Sequence, residues 1–139
     1  MDLKQLLYDH TKIEFNEVVA IKSASVNNIN FTMSNTNNKF SDYCIRTNSN
    51  KFGLIQKIIR ADNDVFVLVN EIVYLYSPFY LNDSEATNRS LKSNVSIFSL
   101  SKNFFLENIL NLNKIHLLNF DKNNNLLYVS QFEGGHLFT

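Results

Sequence analysis

Cysteine, glycine, proline and tryptophan are scarce or absent in this chain of 139 residues, and the scarcity of the first two excludes two classes of site. With Cys44 as the only cysteine, neither a disulfide nor an all-cysteine zinc site can form within the chain. The three glycines, Gly53, Gly134 and Gly135, do not form a glycine-rich phosphate loop. A lone cysteine in an apolar stretch is most often a core residue, so we expect Cys44 to be buried rather than nucleophilic.

The chain also lacks net charge and any uninterrupted apolar run long enough to span a membrane. Its 13 basic and 13 acidic residues balance, and its pI is near 6.8. The lysines and arginines are scattered, which disfavours a protein that neutralises many phosphates. Neither a signal peptide nor a stretch of ~18 apolar residues is present. We therefore expect an intracellular protein without a membrane span, formed by one domain over residues 1–139.

No catalytic or metal-binding constellation is visible. His10, His116 and His136 lie far apart, and none has a second ligand at metal-binding spacing. Asp62 and Asp64 lie between two apolar runs, where a solvated hairpin tip is expected rather than a catalytic pair or a calcium loop. We predict that the protein is not an enzyme and uses no cofactor and no metal.

Strand-forming segments dominate the chain. Apolar residues make up 45 % of it, with 12 Phe and 6 Tyr, and the longest apolar stretch runs from Tyr43 to Tyr80. Runs of β-branched and aromatic residues between Asn- and Asp-rich turns are typical of antiparallel strands. A short helix is expected at residues 3–9, and residues 104–112 fit either a helical turn or an extended segment. The predicted strands cover residues 18–25, 29–33, 43–46, 54–59, 65–76, 95–100, 114–120 and 126–130.

These segments predict a mainly β fold, a single antiparallel barrel or sandwich of seven or eight short strands with a short N-terminal helix. Asn27-Asn28 and Asp62–Asp64 are the expected hairpin turns. Residues 77–94 form the only long break between strands, so we expect a flexible or functional loop there. A mobile tail is expected at residues 131–139.

Four aromatic residues surround the start of that break: Tyr74, Tyr76, Phe79 and Tyr80. Strand alternation would place Tyr74 and Tyr76 on one face, where they could form the wall of an aromatic box. Such a box binds a methylated ammonium group through cation–π attraction of about 0.5–2 kcal/mol. The alternative is that two of the rings cap the core. We take the four residues as the candidate partner-binding surface.

The order of features over about residues 43–130 resembles a bromo-adjacent homology (BAH) domain. Like that family, the chain has a strand at Leu54–Ile58, an acidic turn at Asp62–Asp64, a β-branched strand at Val65–Val69 and an aromatic stretch, Tyr74–Pro78, ending in proline. The match continues with the strand at Val95–Ser99. The family has tryptophan and arginine in its aromatic motif, where this chain has tyrosine and serine. The sequence is also similar to β-rich segments of transposon-derived proteins.

The BAH resemblance implies a protein-binding module in a nuclear, chromatin-associated setting. We therefore expect a scaffold that binds a peptide or protein, either at a free sheet edge or near Tyr74–Tyr80. One alternative is an OB-like nucleic-acid-binding domain that stacks bases on Phe52 and Tyr43. Another is a homodimerisation domain that covers an apolar face.

Overall fold

The computed structural model describes residues 2–34, 42–76 and 95–133, with side chains up to Ser130. One α-helix, α1, spans Leu3–Thr11, and a 3-10 turn spans Ile109–Asn111. The predicted loop at 77–94 and residues 134–139 of the predicted tail lie outside the described ranges. The strands are β1 Val18–Ile21, β2 Ser23–Val26, β3 Ile29–Thr32, β4 Cys44–Thr47, β5 Phe52–Ala61, β6 Asp64–Tyr76, β7 Val95–Asn108, β8 Leu112–Asp121 and β9 Leu126–Glu133.

Six of these strands close an antiparallel barrel. Going round it, β5 pairs with β4, β4 with β8, β8 with β9, β9 with β7, β7 with β6, and β6 with β5 again. β1 adds to the C-terminal part of β5, with Val18 opposite Ala61, and β2 and β3 form a separate hairpin. The prediction of a mainly β fold, built on an antiparallel barrel with a short N-terminal helix, is confirmed.

Several strands begin or end at other residues than the sequence predicts. Residues 18–25 were expected to form one strand, but Lys22 separates β1, which joins the barrel sheet, from β2, which pairs with β3. Asn27 and Asn28 form the predicted turn between β2 and β3, with φ values of 52° and 67°. β7 runs unbroken from 95 to 108 because the long β6 pairs with it as far as Asn108. β9 likewise extends to Glu133, three residues further than predicted.

The long apolar stretch is explained by burial on both faces of the β5–β6 hairpin. Val67 and Val69 of β6 belong to the main core cluster, whereas Phe66 and Leu68 belong to a second cluster that packs against α1. Leu7 of α1 is fully buried in this second cluster. A nine-residue helix is too short to be stable alone, and burying a leucine contributes about 1.5–3 kcal/mol, so this packing holds α1 in place.

The turn between β5 and β6 is the hairpin tip that the Asp62–Asp64 motif predicts. Asp62 takes a left-handed conformation with φ of 53°. Its carboxylate accepts hydrogen bonds from the backbone N–H groups of Asn16 and Glu17, at 3.1 and 2.9 Å. The backbone N–H of Asp62 donates to the carbonyl oxygen of Glu17 at 2.9 Å. The tip therefore fixes the chain that leads into β1.

Gly53 allows β5 and β6 to approach closely. A Cβ atom at Gly53 would lie 2.2 Å from Cγ1 of Val69 and 2.6 Å from the carbonyl oxygen of Asn70. Both distances are far below van der Waals contact, and the second atom is backbone and cannot rotate away. Only glycine fits here without moving one strand relative to the other.

Gly53→Ala is therefore expected to lower the free energy of unfolding by about 1–3 kcal/mol, the usual cost of overpacking a core. Urea unfolding followed by circular dichroism measures this change. Ser23→Ala, at an exposed strand position, serves as the control and should stay within about 0.5 kcal/mol of the wild type. Equal stability of Gly53→Ala and wild type would contradict the close approach.

Candidate interaction surfaces

An apolar cleft lies between α1 and the second half of β7, and we call it the α1–β7 cleft. Its volume is about 690 Å³. Phe104 on its wall is 54 % exposed, and Leu106 beside it is buried. Concave surfaces with an apolar floor and a few polar groups at the rim are typical binding sites. The cleft is lined by Leu6, Asp9, His10, Lys51, Leu68, Phe104, Phe105, Leu106 and Glu107.

The ends of α1 are fixed by local hydrogen bonds, and this places the helical wall of the cleft. The Asp2 carboxylate accepts from the backbone N–H of Gln5 at 3.2 Å, which caps the N-terminus. Lys12 ends the helix with φ of 62°, and its N–H donates to the carbonyl of Tyr8 at 2.7 Å. With Leu7 directed into the second cluster, Leu6 borders the cleft.

The charged groups of the α1–β7 cleft differ in their partners. The Glu107 carboxylate accepts from the side-chain amide of Asn111 at 2.9 Å, and the Asp9 carboxylate accepts from the side chain of Gln5 at 2.8 Å. Lys51 Nζ lies 5.1 Å from the centre of the Phe105 ring, a cation–π contact. Within the described ranges, no carboxylate forms an ion pair with Lys51. This cation is therefore open to an external carboxylate.

A smaller cleft of about 370 Å³ adjoins the first through Leu68 and Phe104, which line both. Its charged lining residues are Lys22 and Lys57, both exposed. The remaining lining residues are Ala20, Ile21, Met33 and Gln56. Phe104 thus stands at the junction of two concave surfaces.

The two tyrosines of the predicted aromatic box lie on opposite faces of the sheet. Tyr74 pairs with Phe98, but Tyr76 pairs with Ile97, because the register shifts by one residue between them. Consecutive residues of β7 face opposite sides, so their partners do too. The prediction that Tyr74 and Tyr76 share a face is therefore wrong, and the bulge is the reason. The other two predicted residues, Phe79 and Tyr80, lie outside the described residues.

Tyr74 and Tyr76 nevertheless belong to an exposed apolar strand end. The Tyr74 ring packs edge-on against Phe98, with 5.7 Å between the ring centres, and remains 51 % exposed. Tyr76 is 50 % exposed, and Val73 and Leu75 are exposed as well. These four consecutive exposed residues make the strand end apolar on both of its faces.

The aromatic residues proposed for base stacking are engaged in the fold. Tyr43 is buried in the main core cluster, and burial raises the pKa of its phenol, with a smaller contribution from neighbouring Cys44. Phe52 is partly buried, and its ring centre lies 4.9 Å from that of Phe98. The expectation that Tyr43 stacks on bases is wrong because its ring is not accessible. Nucleic-acid binding itself stays a prediction.

The remaining titratable candidates do not form a site among the described residues. His10 is exposed at the end of α1, while His116 is partly buried between the core residues Ile115 and Leu117 of β8. His136 lies outside the described residues. Residues 2–34, 42–76 and 95–133 contain no group of three or more His, Cys, Asp or Glu side chains that could hold a metal ion.

No protein-family model, curated protein or solved structure matches this chain. In the described part of the chain, no helix has the length and apolar character needed to cross a membrane.

Sequence reasoning missed the α1–β7 cleft. It left residues 104–112 open between helix and strand, so the direction of Phe104 could not be assigned. The available signal was the run Phe104-Phe105-Leu106, in which consecutive apolar residues require burial on both faces of a strand or leave one face exposed. Which of these applies depends on α1, which lies about a hundred residues away in the sequence.

Cys44 is expected to resist alkylation in the folded protein. It is fully buried, and burial raises the pKa of its thiol from 9.0 to about 12. At about pH 8, iodoacetamide should modify Cys44 only after unfolding in urea, as measured by mass spectrometry, because the thiolate is the reactive form. Rapid labelling of the native protein would contradict the core assignment.

The same shift predicts a loss of stability in alkali. The unfolded chain loses the thiol proton near pH 9.0, whereas the folded chain keeps it until about pH 12. The contribution of Cys44 to the free energy of unfolding is therefore complete below pH 9.0 and declines as the pH rises towards 12. Urea unfolding at a series of alkaline pH values measures the decline, and the raised pKa of Tyr43 acts in the same direction.

Proposed function

We propose that this chain is a non-catalytic β-barrel module that binds a segment of a partner protein in the α1–β7 cleft. The observation that carries the proposal is the half-exposed Phe104 on the wall of a cleft of about 690 Å³. Leu6 and Leu68 supply further apolar surface to the same cleft. Aromatic side chains in such positions act as anchors that dominate the binding energy of protein interfaces.

The position of Phe104 distinguishes it from other exposed apolar residues. Leu110 is 70 % exposed and Leu118 is 52 % exposed, yet neither lines the α1–β7 cleft or the smaller cleft beside it. Single exposed apolar residues are common on protein surfaces, whereas a concave apolar surface is a feature of binding sites. The cleft is therefore the best-supported surface for a partner.

The strand end Val73–Tyr76 is a second candidate surface for the same function. Its four apolar residues are each 45–51 % exposed. Binding at this end would agree with the partner surface expected from the sequence at Tyr74, Tyr76, Phe79 and Tyr80. The bulge between Tyr74 and Tyr76 argues for contact with an apolar segment rather than for an aromatic box around a methylated ammonium.

The cellular setting rests on the BAH resemblance alone. Nuclear localisation, association with chromatin and a transposon origin stay predictions, as do the alternatives of nucleic-acid binding and homodimer formation. Each alternative has its own signature. Nucleic-acid binding falls steeply with salt concentration, and homodimer formation raises the mass measured by light scattering.

Phe104→Ser is expected to weaken peptide binding about tenfold or more, as removal of an aromatic anchor does. Peptides are first selected on the immobilised wild-type protein from a phage-displayed random library. Fluorescence anisotropy then gives their affinities for wild type and variants. Leu118→Ser is the matched control, because Leu118 has nearly the same exposure but lies outside the cleft.

Loss of binding in Phe104→Ser, with Leu118→Ser unchanged, supports the cleft. Equal binding by Phe104→Ser and wild type overturns it, and Tyr76→Ser shows in the same assay whether the strand end binds instead. Failure to select any peptide also counts against the proposal. Circular dichroism of each variant shows that the fold is retained.

A further inference from the structure

The second half of β7 has a free edge within the described residues. β9 pairs with β7 only over Val95–Ser99, and the side chain of Asn125 then donates to the carbonyl of Leu100 at 3.0 Å. From Phe104 to Asn108, β6 is the only described strand that pairs with β7. Backbone groups along this other edge are therefore available to a further strand.

The direction of these backbone groups can be assigned. The N–H of Asn108 donates to the carboxylate of its neighbour Glu107 at 3.2 Å, so this N–H points away from β6. In an antiparallel strand, N–H and C=O groups alternate between the two edges. The backbone groups of Leu106 and Phe104 therefore face the free edge together with those of Asn108.

The α1–β7 cleft follows this free edge. Four consecutive residues, Phe104 to Glu107, line it, although their side chains alternate between the two faces of β7. Leu6 of α1 borders the cleft on the face of Leu106, since both pack with the second core cluster. Lys51 borders it on the other face, where its amine lies over the Phe105 ring. A segment in the cleft would thus run beside the β7 backbone.

Little protects this edge from pairing. Natural sheets cover free edges or place lysine, proline or a bulge on them. Lys102 and a bulge at residues 101–103 lie directly before Phe104, and Glu107 follows, but the three residues from Phe104 to Leu106 carry no charge, no proline and no register shift. An unprotected edge beside an apolar cleft is suited to strand addition, in which backbone hydrogen bonds supply affinity and alternate side chains supply specificity.

We propose that the partner segment binds as an added β-strand on the free edge of β7 along Phe104–Glu107, with apolar residues alternating with acidic ones. This inference rests on the function proposed above. The apolar side chains would face Leu6 and Leu106. The acidic side chains would face Lys51, since within the described ranges this lysine has no carboxylate partner. Glu107 lies on the same face and keeps its negative charge, but its carboxylate is held towards Asn108 and Asn111, from which it accepts hydrogen bonds.

The test uses blocked, fluorescein-labelled peptides in which valine alternates with glutamate, lysine or serine. The valine–glutamate peptide is expected to bind most tightly. Methylating one backbone nitrogen at a time should lower the peptide's affinity about tenfold at every second position and change it little at the positions between. The affinity would vary with a period of two because one edge of an added strand donates its N–H groups to β7, whereas the other edge faces solvent.

Lys51→Glu tests the charge assignment. The substitution should lower the affinity for the valine–glutamate peptide about two- to fivefold and raise the affinity for the valine–lysine peptide. A salt concentration of 1 M should largely remove both effects. Lys122→Glu carries the same charge change in the exposed turn before β9, outside the cleft, and should leave both affinities unchanged.

Binding that depends on Phe104 but tolerates methylation at every position, or shows no period of two, overturns strand addition and leaves the proposed function standing. Equal affinity for the glutamate and lysine peptides overturns the acidic partner. If no peptide binding depends on Phe104, both proposals fail together. If light scattering shows a dimer that Phe104→Ser dissociates, a second copy of the chain occupies the edge and the peptide proposal is wrong.

Discussion

The architecture depends on the β5–β6 hairpin being buried on both faces. One face contributes Val67 and Val69 to the main core cluster, and the other contributes Phe66 and Leu68 to the cluster beneath α1. Gly53 lets the two strands approach, and Asp62 ties the hairpin tip to the chain before β1. Since an apolar face exposed to water is costly, α1 must cover the second face.

The cover that α1 provides is partial, and this creates the candidate site. A helix of nine residues is about 14 Å long at 1.5 Å per residue, so it covers only part of the β5–β6–β7 surface. Leu106 lies beneath it, while Phe104, two residues earlier on the same face of β7, lies at the margin and remains half exposed. At this margin, β7 also has no second neighbour among the described strands, because β9 pairs only with its first part. Cleft and free edge thus have one structural origin.

The aromatic residues show which features local sequence patterns predict and which they do not. A two-residue period predicted a shared face for Tyr74 and Tyr76, but a single bulge moved them to opposite faces. Tyr43 was a candidate for base stacking, but its side chain is buried in the main core cluster. Cys44 was predicted correctly, since a small apolar side chain within an apolar strand has few other roles.

By itself, the sequence determined the elements whose signals are local. The Asn27-Asn28 and Asp62 turns, the short first helix and most strands follow from backbone preferences and from side-chain periodicity over a few residues. Only the tertiary structure decided that six strands close into a barrel, that Phe104 borders a cleft and that the second half of β7 has one neighbour among the described strands. These features depend on pairing and packing between segments far apart in the chain, and several strand orders satisfy the same local pattern.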